Sequence, residues 1–265
     1  WEVLADGKII KRGKITDLRV GPRDRKIIDL HYSLPKKDDK EMFLNVYYKT
    51  KAARGLLPAD WEIAKDQIPI LRNRRSIMLK PIGKVRVENR TEDGVISGTN
   101  FKITFNRQDG LIHHYEVKNI SFIKSGYSLK PNFWRPPTDV DYGTKFPALL
   151  LNWKQSSHNF TPLYFHVDRN GPGKIKVTTL YYMPYVYATL SLSYEINGGG
   201  EMIVSESMKA DKTRKVPMLP KFGMQMMMPE LFSEMQWYGR GPEESYWDRK
   251  DAEFVGLYKG DVDKH

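Results

Sequence analysis

What most limits the fold of this chain is its punctuation. Stretches rich in aromatic and β-branched residues are short, and each is ended by a glycine, proline or Asx turn signal, a rhythm that suits antiparallel strands better than long helices. Asp6-Gly7 lies between WEVLA and KIIKRG. A type I′ turn needs positive φ at both central residues, and Asp-Gly supplies it, so the chain opens on a hairpin. Further strands are expected at Lys26 to Tyr32, at Glu41 to Thr50 and around Ser76 to Leu79, giving residues 1–80 the pattern of a small immunoglobulin-like β-sandwich. Pro81-Ile82-Gly83 is a short linker. Strands then resume at Lys84 to Asn89, Gly98 to Phe105 and Leu111 to Val117, with a turn at Asn106 to Gly110. Lys174 to Leu180, Ala188 to Ile196, the glycine turn Asn197 to Gly200, Glu201 to Met208, Met224 to Met228 and Glu234 to Tyr238 continue the pattern. Residues 84–265 are therefore expected to form a second, larger sheet domain, with Ala148 to Ser156 as the one short helix. The fold class is all-β.

Two domains suit 265 residues of ordinary apolar and charged content. Cysteine is absent, which removes disulfides, thiol nucleophiles and Cys-based metal sites. The formal charge of +11 raises nucleic acid as a partner. However, the basic residues are interleaved with acids, as in KKDDK at Lys36 to Lys40, and the densest cluster, Arg72, Arg74 and Arg75, falls where one domain ends; solvated surface accounts for them. No apolar run is long enough to cross a bilayer, so the expectation is a soluble protein with neither nucleic-acid nor membrane partners. The first residue is Trp1 rather than Met, which fits a piece of a longer polypeptide.

The GxSxG, HExxH and GxGxxG signatures are missing. His113 and His114 are adjacent and would point to opposite faces of a strand, unable to grip one metal there. Two segments concentrate chemistry. Phe133 to Gly143 (FWRPPTDVDYG) is too proline-rich for a central strand and reads as an ordered loop. If extended, Asp139 and Asp141 would share a face and could accept sugar hydroxyls or coordinate a hard cation; alternatively, both cap turns through backbone amides. Trp134 offers a stacking face and Arg135 a donor fork. In Trp237 to Arg249 (WYGRGPEESYWDR), Gly239, Gly241 and Pro242 force a tight turn, and Glu243, Glu244, Tyr246, Trp247, Asp248 and Arg249 gather carboxylates, aromatics and a guanidinium. That cluster can hold carbohydrate, and it can equally be a self-satisfied network in which Asp248 or Glu244 pairs with Arg249. Glycoside hydrolysis needs two carboxyl groups roughly 5 to 10 Å apart across the scissile bond. Glu243 and Glu244 are neighbours whose side chains diverge on a strand, and nothing in the sequence sets a carboxylate opposite either.

At these residues the sequence resembles the C-terminal part of family 2 glycoside hydrolases, the large bacterial β-galactosidases. Phe105 to Gly110 (FNRQDG) resembles the family's FN-x-x-x-G turn. Arg135-x-Pro137-Thr138-Asp139-x-Asp141-x-Gly143 resembles its R-x-P-T-D-N-D-x-G loop, with Val140 in place of the asparagine, and Asn152 to His158 resembles its W-K-x-x-x-H segment. Gly239-x-Gly241-Pro242-x-Glu244-x-Tyr246-x-Asp248-Arg249 resembles G-x-G-P-x-E-x-Y-x-D-R, the most specific of the four. The resemblance implies an immunoglobulin-like domain over residues 1–80, followed over 84–265 by a truncated, mutarotase-like antiparallel supersandwich, the β-galactosidase small-chain domain. It also implies a retaining β-galactosidase as parent, whose two catalytic glutamates lie in a TIM barrel preceding Trp1. This chain would then be a non-catalytic part inactive alone, with Trp134, Arg135, Asp139, Asp141, Gly143, Trp153 and His158 as carbohydrate-facing or pocket-rim residues. The Gly239 to Arg249 residues would be a structural motif. No cofactor is expected in this chain, although the parent could carry a divalent or sodium ion, for which Asp139 and Asp141 are the candidate ligands here. Expected partners are the chain's own barrel, a galactoside and further copies of the parent. The alternatives are a stand-alone carbohydrate-binding module and, by analogy of fold, an aldose-epimerase-like domain.

Overall fold

The computed structural model describes residues 1–34, 40–71 and 78–264. Lys36 to Asp39, the Arg72, Arg74 and Arg75 cluster, and Ser76-Ile77 of an expected strand lie outside them. The described chain is all-β and antiparallel, apart from three short helices and one 3-10 turn. In chain order the strands are β1 (Glu2–Ala5), β2 (Lys8–Arg12), β3 (Met42–Lys49), β4 (Glu62–Leu71), β5 (Arg86–Asn89), β6 (Asp93–Ser97), β7 (Phe101–Asn106), β8 (Ile112–Val117), β9 (Ile120–Ser121) and β10 (Lys130–Pro131). Helices α1 (Asp139–Gly143), α2 (Phe146–Leu149) and α3 (Leu151–Ser156) follow. The chain continues with β11 (Thr161–Arg169), β12 (Lys174–Met183), β13 (Ala188–Asn197), β14 (Met202–Ala210), β15 (Met224–Gln225), β16 (Glu234–Gly241) and β17 (Phe254–Asp261).

These elements form two compact units, one built from Trp1–Ile77 with Phe232–His265 and the other from Met78–Leu231. In the first, a four-stranded sheet runs β2-β1-β3-β4, and β16 pairs with β17 as a long hairpin. The opening turn has the expected geometry, with φ +46° at Asp6 and +75° at Gly7. Val3, Leu4 and Ala5 are buried consecutively, as are Met42, Phe43 and Leu44, so β1 and the start of β3 are covered on both faces. The hairpin meets this sheet at the β1–β2 turn and late in β3. A Cβ on Gly7 would lie 2.7 Å from the Leu257 amide nitrogen, and Tyr47 and Phe254 have ring centroids 6.1 Å apart. Lys26 to Tyr32 is irregular rather than a strand, with Ile27 fully exposed. β4 was not expected, because Lys65, Asp66, Gln67 and Pro69 blur its alternation. As the sheet's edge strand it tolerates a proline.

In the second unit a five-stranded sheet, β5-β6-β7-β8-β9, packs on a four-stranded sheet, β11-β12-β13-β14. The residue pattern explains the layering. Ile175, Val177, Thr179, Tyr181 and Met183 on β12, and Ala188, Leu190, Leu192, Tyr194 and Ile196 on β13, alternate into the core, as a half-covered strand with a period of two requires. From the facing sheet, Phe105 of β7 meets Tyr194 edge-on at 5.0 Å and Phe165 of β11 at 5.9 Å. The expected turns are present at Asn106 to Gly110 and Asn197 to Gly200. Buried Asn197 accepts the Gly199 and Glu201 amides and donates to the Lys80 carbonyl and to Glu201. The linker therefore lies against this turn, and a Cβ on Gly198 would fall 2.2 Å from the Ile82 oxygen. The Met224 to Met228 strand shrinks to a two-residue pairing with β10, and Ala148 to Ser156 is helical through α2 and α3.

Candidate functional site

The second unit carries the loop between β10 and α3. Asn132 turns it by accepting the Trp134 amide through its side-chain oxygen, 3.0 Å. Phe133 drops into the core, and buried Ser157 accepts its amide at 2.9 Å while donating to the Trp153 carbonyl. Of the two readings of Asp139 and Asp141, the extended pair does not form, because Thr138 starts a helical turn, and capping through a backbone amide holds for Asp141. Asp141, at its third position, accepts the Thr138 amide at 2.7 Å and the Thr138 hydroxyl at 3.1 Å, which is half of a capping box. The same carboxylate receives both arms of Arg135, with Nη1 to Oδ2 at 2.5 Å and Nη2 to Oδ1 at 2.9 Å. These donors, the Arg135 guanidinium foremost, hold the Asp141 carboxyl down to about 2. The guanidinium lies over the Phe146 ring at 4.7 Å, Trp134 packs on Phe146 at 6.4 Å, and Lys154 sits 5.9 Å from the Trp134 ring.

The candidate residues therefore divide. Arg135 and Asp141 form one clamp. Asp139 is exposed, with no hydrogen-bond or ion-pair partner among the described residues, and Val140, Gly143 and His158 are also exposed. Trp153 is placed as a core residue, not a rim residue. It is 2% exposed, its ring packs 5.9 Å from Phe133 and its indole donates to the Pro217 carbonyl at 2.9 Å. Among the described residues, no group of three or more histidines or acids comes together to hold a metal ion. Sequence reasoning missed Thr138, Phe146 and Ser157. The T-x-x-D pattern of Thr138 to Asp141 is a readable helix start, whereas the roles of Phe146 and Ser157 depend on tertiary contacts and leave no local signal.

The Gly239 to Arg249 motif belongs to the first unit. It ends β16 and makes an excursion before β17. A Cβ on Gly241 would meet the Tyr258 ring at 2.9 Å, and the Gly241–Pro242 peptide is cis. Trp237 stacks toward Tyr258 at 5.4 Å and donates to the Arg240 carbonyl. The Arg240 guanidinium donates to the carbonyls of Lys250 and Glu253, the Glu253 carboxylate accepts the Glu243 amide, and Arg249 pairs with Glu244. Arg249 and Lys250 return amide bonds to the Tyr246 carbonyl. Of the two readings of this cluster, the self-satisfied network holds for Glu244, while Asp248 is exposed and Trp247 is 85% exposed under the Lys250 ammonium.

Fold and loop together define an antiparallel β-sandwich module with an arginine-clamped, aromatic-lined loop. The chain belongs to the β-galactosidase small-chain family, whose model matches residues 97–265; the model of β-galactosidase domain 4 matches residues 1–71. Among its relatives are β-galactosidases of Priestia megaterium, 27% identical over 99% of this chain and 25% of the relative, and of Clostridium acetobutylicum, 28% identical over 97% of this chain and 28% of the relative. A third, from Vibrio cholerae, is 28% identical over 99% of this chain and 26% of the relative. The chain thus spans about a quarter of the length of the curated relatives it matches. No helix in the described residues is long and apolar enough to cross a membrane.

Proposed function

We propose that this chain is the non-catalytic C-terminal part of a β-galactosidase that hydrolyses terminal β-D-galactosides. On this reading it contributes scaffold, an interface for a catalytic TIM barrel, and a loop over residues 134–143 that faces the sugar. The clamped loop carries the proposal. Arg135, held by Asp141 and stacked on Phe146, fixes the backbone from which Trp134 and the unpaired Asp139 project, and a sugar-facing surface needs such fixed donors, acceptors and ring faces. The non-catalytic role is supported by the motif with the most carboxylates. Its Glu244 is engaged by Arg249, whereas hydrolysis with retention needs an acid and a nucleophile held about 5 Å apart across the substrate.

Two measurements test this. The purified chain should give no turnover of a chromogenic β-galactoside above buffer, and measurable turnover would overturn the non-catalytic assignment. When the chain is supplied to a β-galactosidase polypeptide lacking this region, activity should return. Asp139→Ala and Trp134→Ala should raise KM of the restored enzyme, and unchanged kinetics in both would remove the sugar-facing role from the loop. Galactoside binding by the isolated chain, measured by calorimetry, would favour a stand-alone binding module instead.

A further inference from the structure

Asparagine is followed by glycine at two places in the chain, Asn170-Gly171 and Asn197-Gly198. In this dipeptide the side-chain amide is unusually open to attack by the next backbone nitrogen, because glycine has no Cβ to shield it. The two pairs, both in the second unit, sit in unlike surroundings. Asn197 is fully buried. Its side-chain oxygen accepts the Gly199 and Glu201 amides, and its side-chain nitrogen donates to the Lys80 carbonyl and the Glu201 carboxylate. Gly198 is equally confined, since a Cβ there would fall 2.2 Å from the Ile82 oxygen. A side chain held by four hydrogen bonds cannot turn its carbonyl carbon toward the Gly198 nitrogen.

Asn170 has none of these restraints. It lies in the turn from β11 to β12 and is exposed, and its side chain has no hydrogen-bond partner among the described residues. Its backbone amide donates to the Lys174 carbonyl at 3.1 Å, which closes the hairpin and leaves the side chain free. Among the described residues the Gly171 N–H makes no hydrogen bond either. Gly171 sits at φ +84°, and a Cβ on it would meet nothing within 4 Å, so a ring closing there has room. The far side of the same turn is crowded, since a Cβ on Gly173 would lie 2.8 Å from the Gly83 carbonyl oxygen.

We propose that Asn170-Gly171 is a self-modification site, at which the chain converts its own side-chain amide to a carboxylate, and that the hydrogen bonds of Asn197 spare the second pair. The Gly171 nitrogen attacks Cγ of Asn170. The new N–Cγ bond forms as the Cγ–Nδ2 bond breaks, and ammonia leaves with the proton that the Gly171 nitrogen gives up. Water then opens the cyclic imide. Addition at Cγ yields aspartate, while addition at the main-chain carbonyl yields isoaspartate, in which the backbone runs through Cγ and is one atom longer. Neither step needs an oxidant or a reductant. Either product takes one unit from the formal charge of +11. The crowded Gly173 side cannot take up the longer backbone, so the change loosens the end of the hairpin, where Arg169 pairs with Ile175 and Ile175 enters the core.

Peptide mapping by mass spectrometry tests this on the full chain, incubated folded and, in parallel, unfolded in urea. Unfolded, Asn170 and Asn197 should convert at similar rates, because the same dipeptide is then equally free. Folded, Asn170 should convert while Asn197 lags by about a hundredfold or more, since local opening must first break its hydrogen bonds. Conversion at Asn170 should rise about tenfold per pH unit above neutrality, following deprotonation of the attacking nitrogen. Asn170→Gln, whose ring would need an extra carbon, should stay unconverted. The aged wild-type chain, but not the aged Asn170→Gln chain, should show faster hydrogen exchange at the hairpin end around residues 169 to 175, and equal exchange in the two counts against the proposal. An Asn170 that stays intact in the folded chain, or an Asn197 that keeps pace with it there, would overturn it. Should Asn170→Gln fail to fold, the two wild-type arms still decide the matter.

Discussion

Gly110 is held in the left-handed region at φ +70°, and a Cβ there would lie 2.4 Å from the Thr179 methyl. Both facts trace to the Phe105 to Gly110 turn, whose last carbonyl accepts the buried Thr179 hydroxyl at 3.1 Å. Gly110→Ala should therefore lower the stability of the second unit by about 2 kcal/mol or more in urea unfolding, from left-handed strain plus overpacking. Asp141 has a different signature. Its folded pKa lies below the ordinary aspartate value, so its contribution is present above that value and is lost as pH falls toward about 2. Asp141→Asn should flatten that acid limb and raise the exchange rate of the Thr138 amide. Glu206 runs the other way, because its folded pKa is raised to about 7; its contribution is complete below the ordinary glutamate value and is lost as pH rises through about 7. Chemical denaturation across that range should show stability falling with pH for the wild type but not for Glu206→Gln, because burial is what raises the Glu206 carboxyl.

At the scale of elements, the β16–β17 hairpin is fastened to the β2-β1-β3-β4 sheet of its unit by one side chain behaving as backbone. The Gln67 amide accepts the Val255 N–H at 2.7 Å and donates to the Val255 carbonyl at 2.9 Å, while also donating to buried Asn45 at 2.9 Å. Asn45 in turn donates to Tyr47, whose hydroxyl donates to Glu2. At roughly 1 kcal/mol per bond, with Asn45 left short of a partner, Gln67→Leu should cost about 2 to 3 kcal/mol and speed exchange of the Val255 amide. None of this was legible in the sequence, because a glutamine amid polar residues of an edge strand looks like solvated surface. β12 and β13, by contrast, were plain from their alternation alone, since one face of each meets only core. The α1 turn was not expected, because two prolines and two aspartates suggest a loop, while the Thr138 and Asp141 pair that sets the helix start is a weaker signal over so short a helix.

Taken as a whole molecule, the chain's fold class, its turns and the family to which its motifs point were all readable, because each rests on local chemistry repeated along the sequence. What could not be read was which distant segments share a compact unit, since that depends on contacts such as Tyr238 to Glu41 at 3.0 Å, far apart in sequence. The second unit, Met78–Leu231, carries a core of its own, so residues 78–231 expressed alone should unfold cooperatively with near-ultraviolet dichroism intact, and a broad non-cooperative transition would contradict this. The first unit has no such independence, because its hairpin comes from the other end of the chain. The Gln67 contact to Val255 spans 188 positions, and at ribosomal speeds of about 5 to 20 residues per second its first half waits roughly 10 to 40 s for its second. During that interval the surfaces at Gly7, Tyr47 and Gln67 that the hairpin will meet stand open on the nascent chain, so this unit can close only after Val255 has left the ribosome.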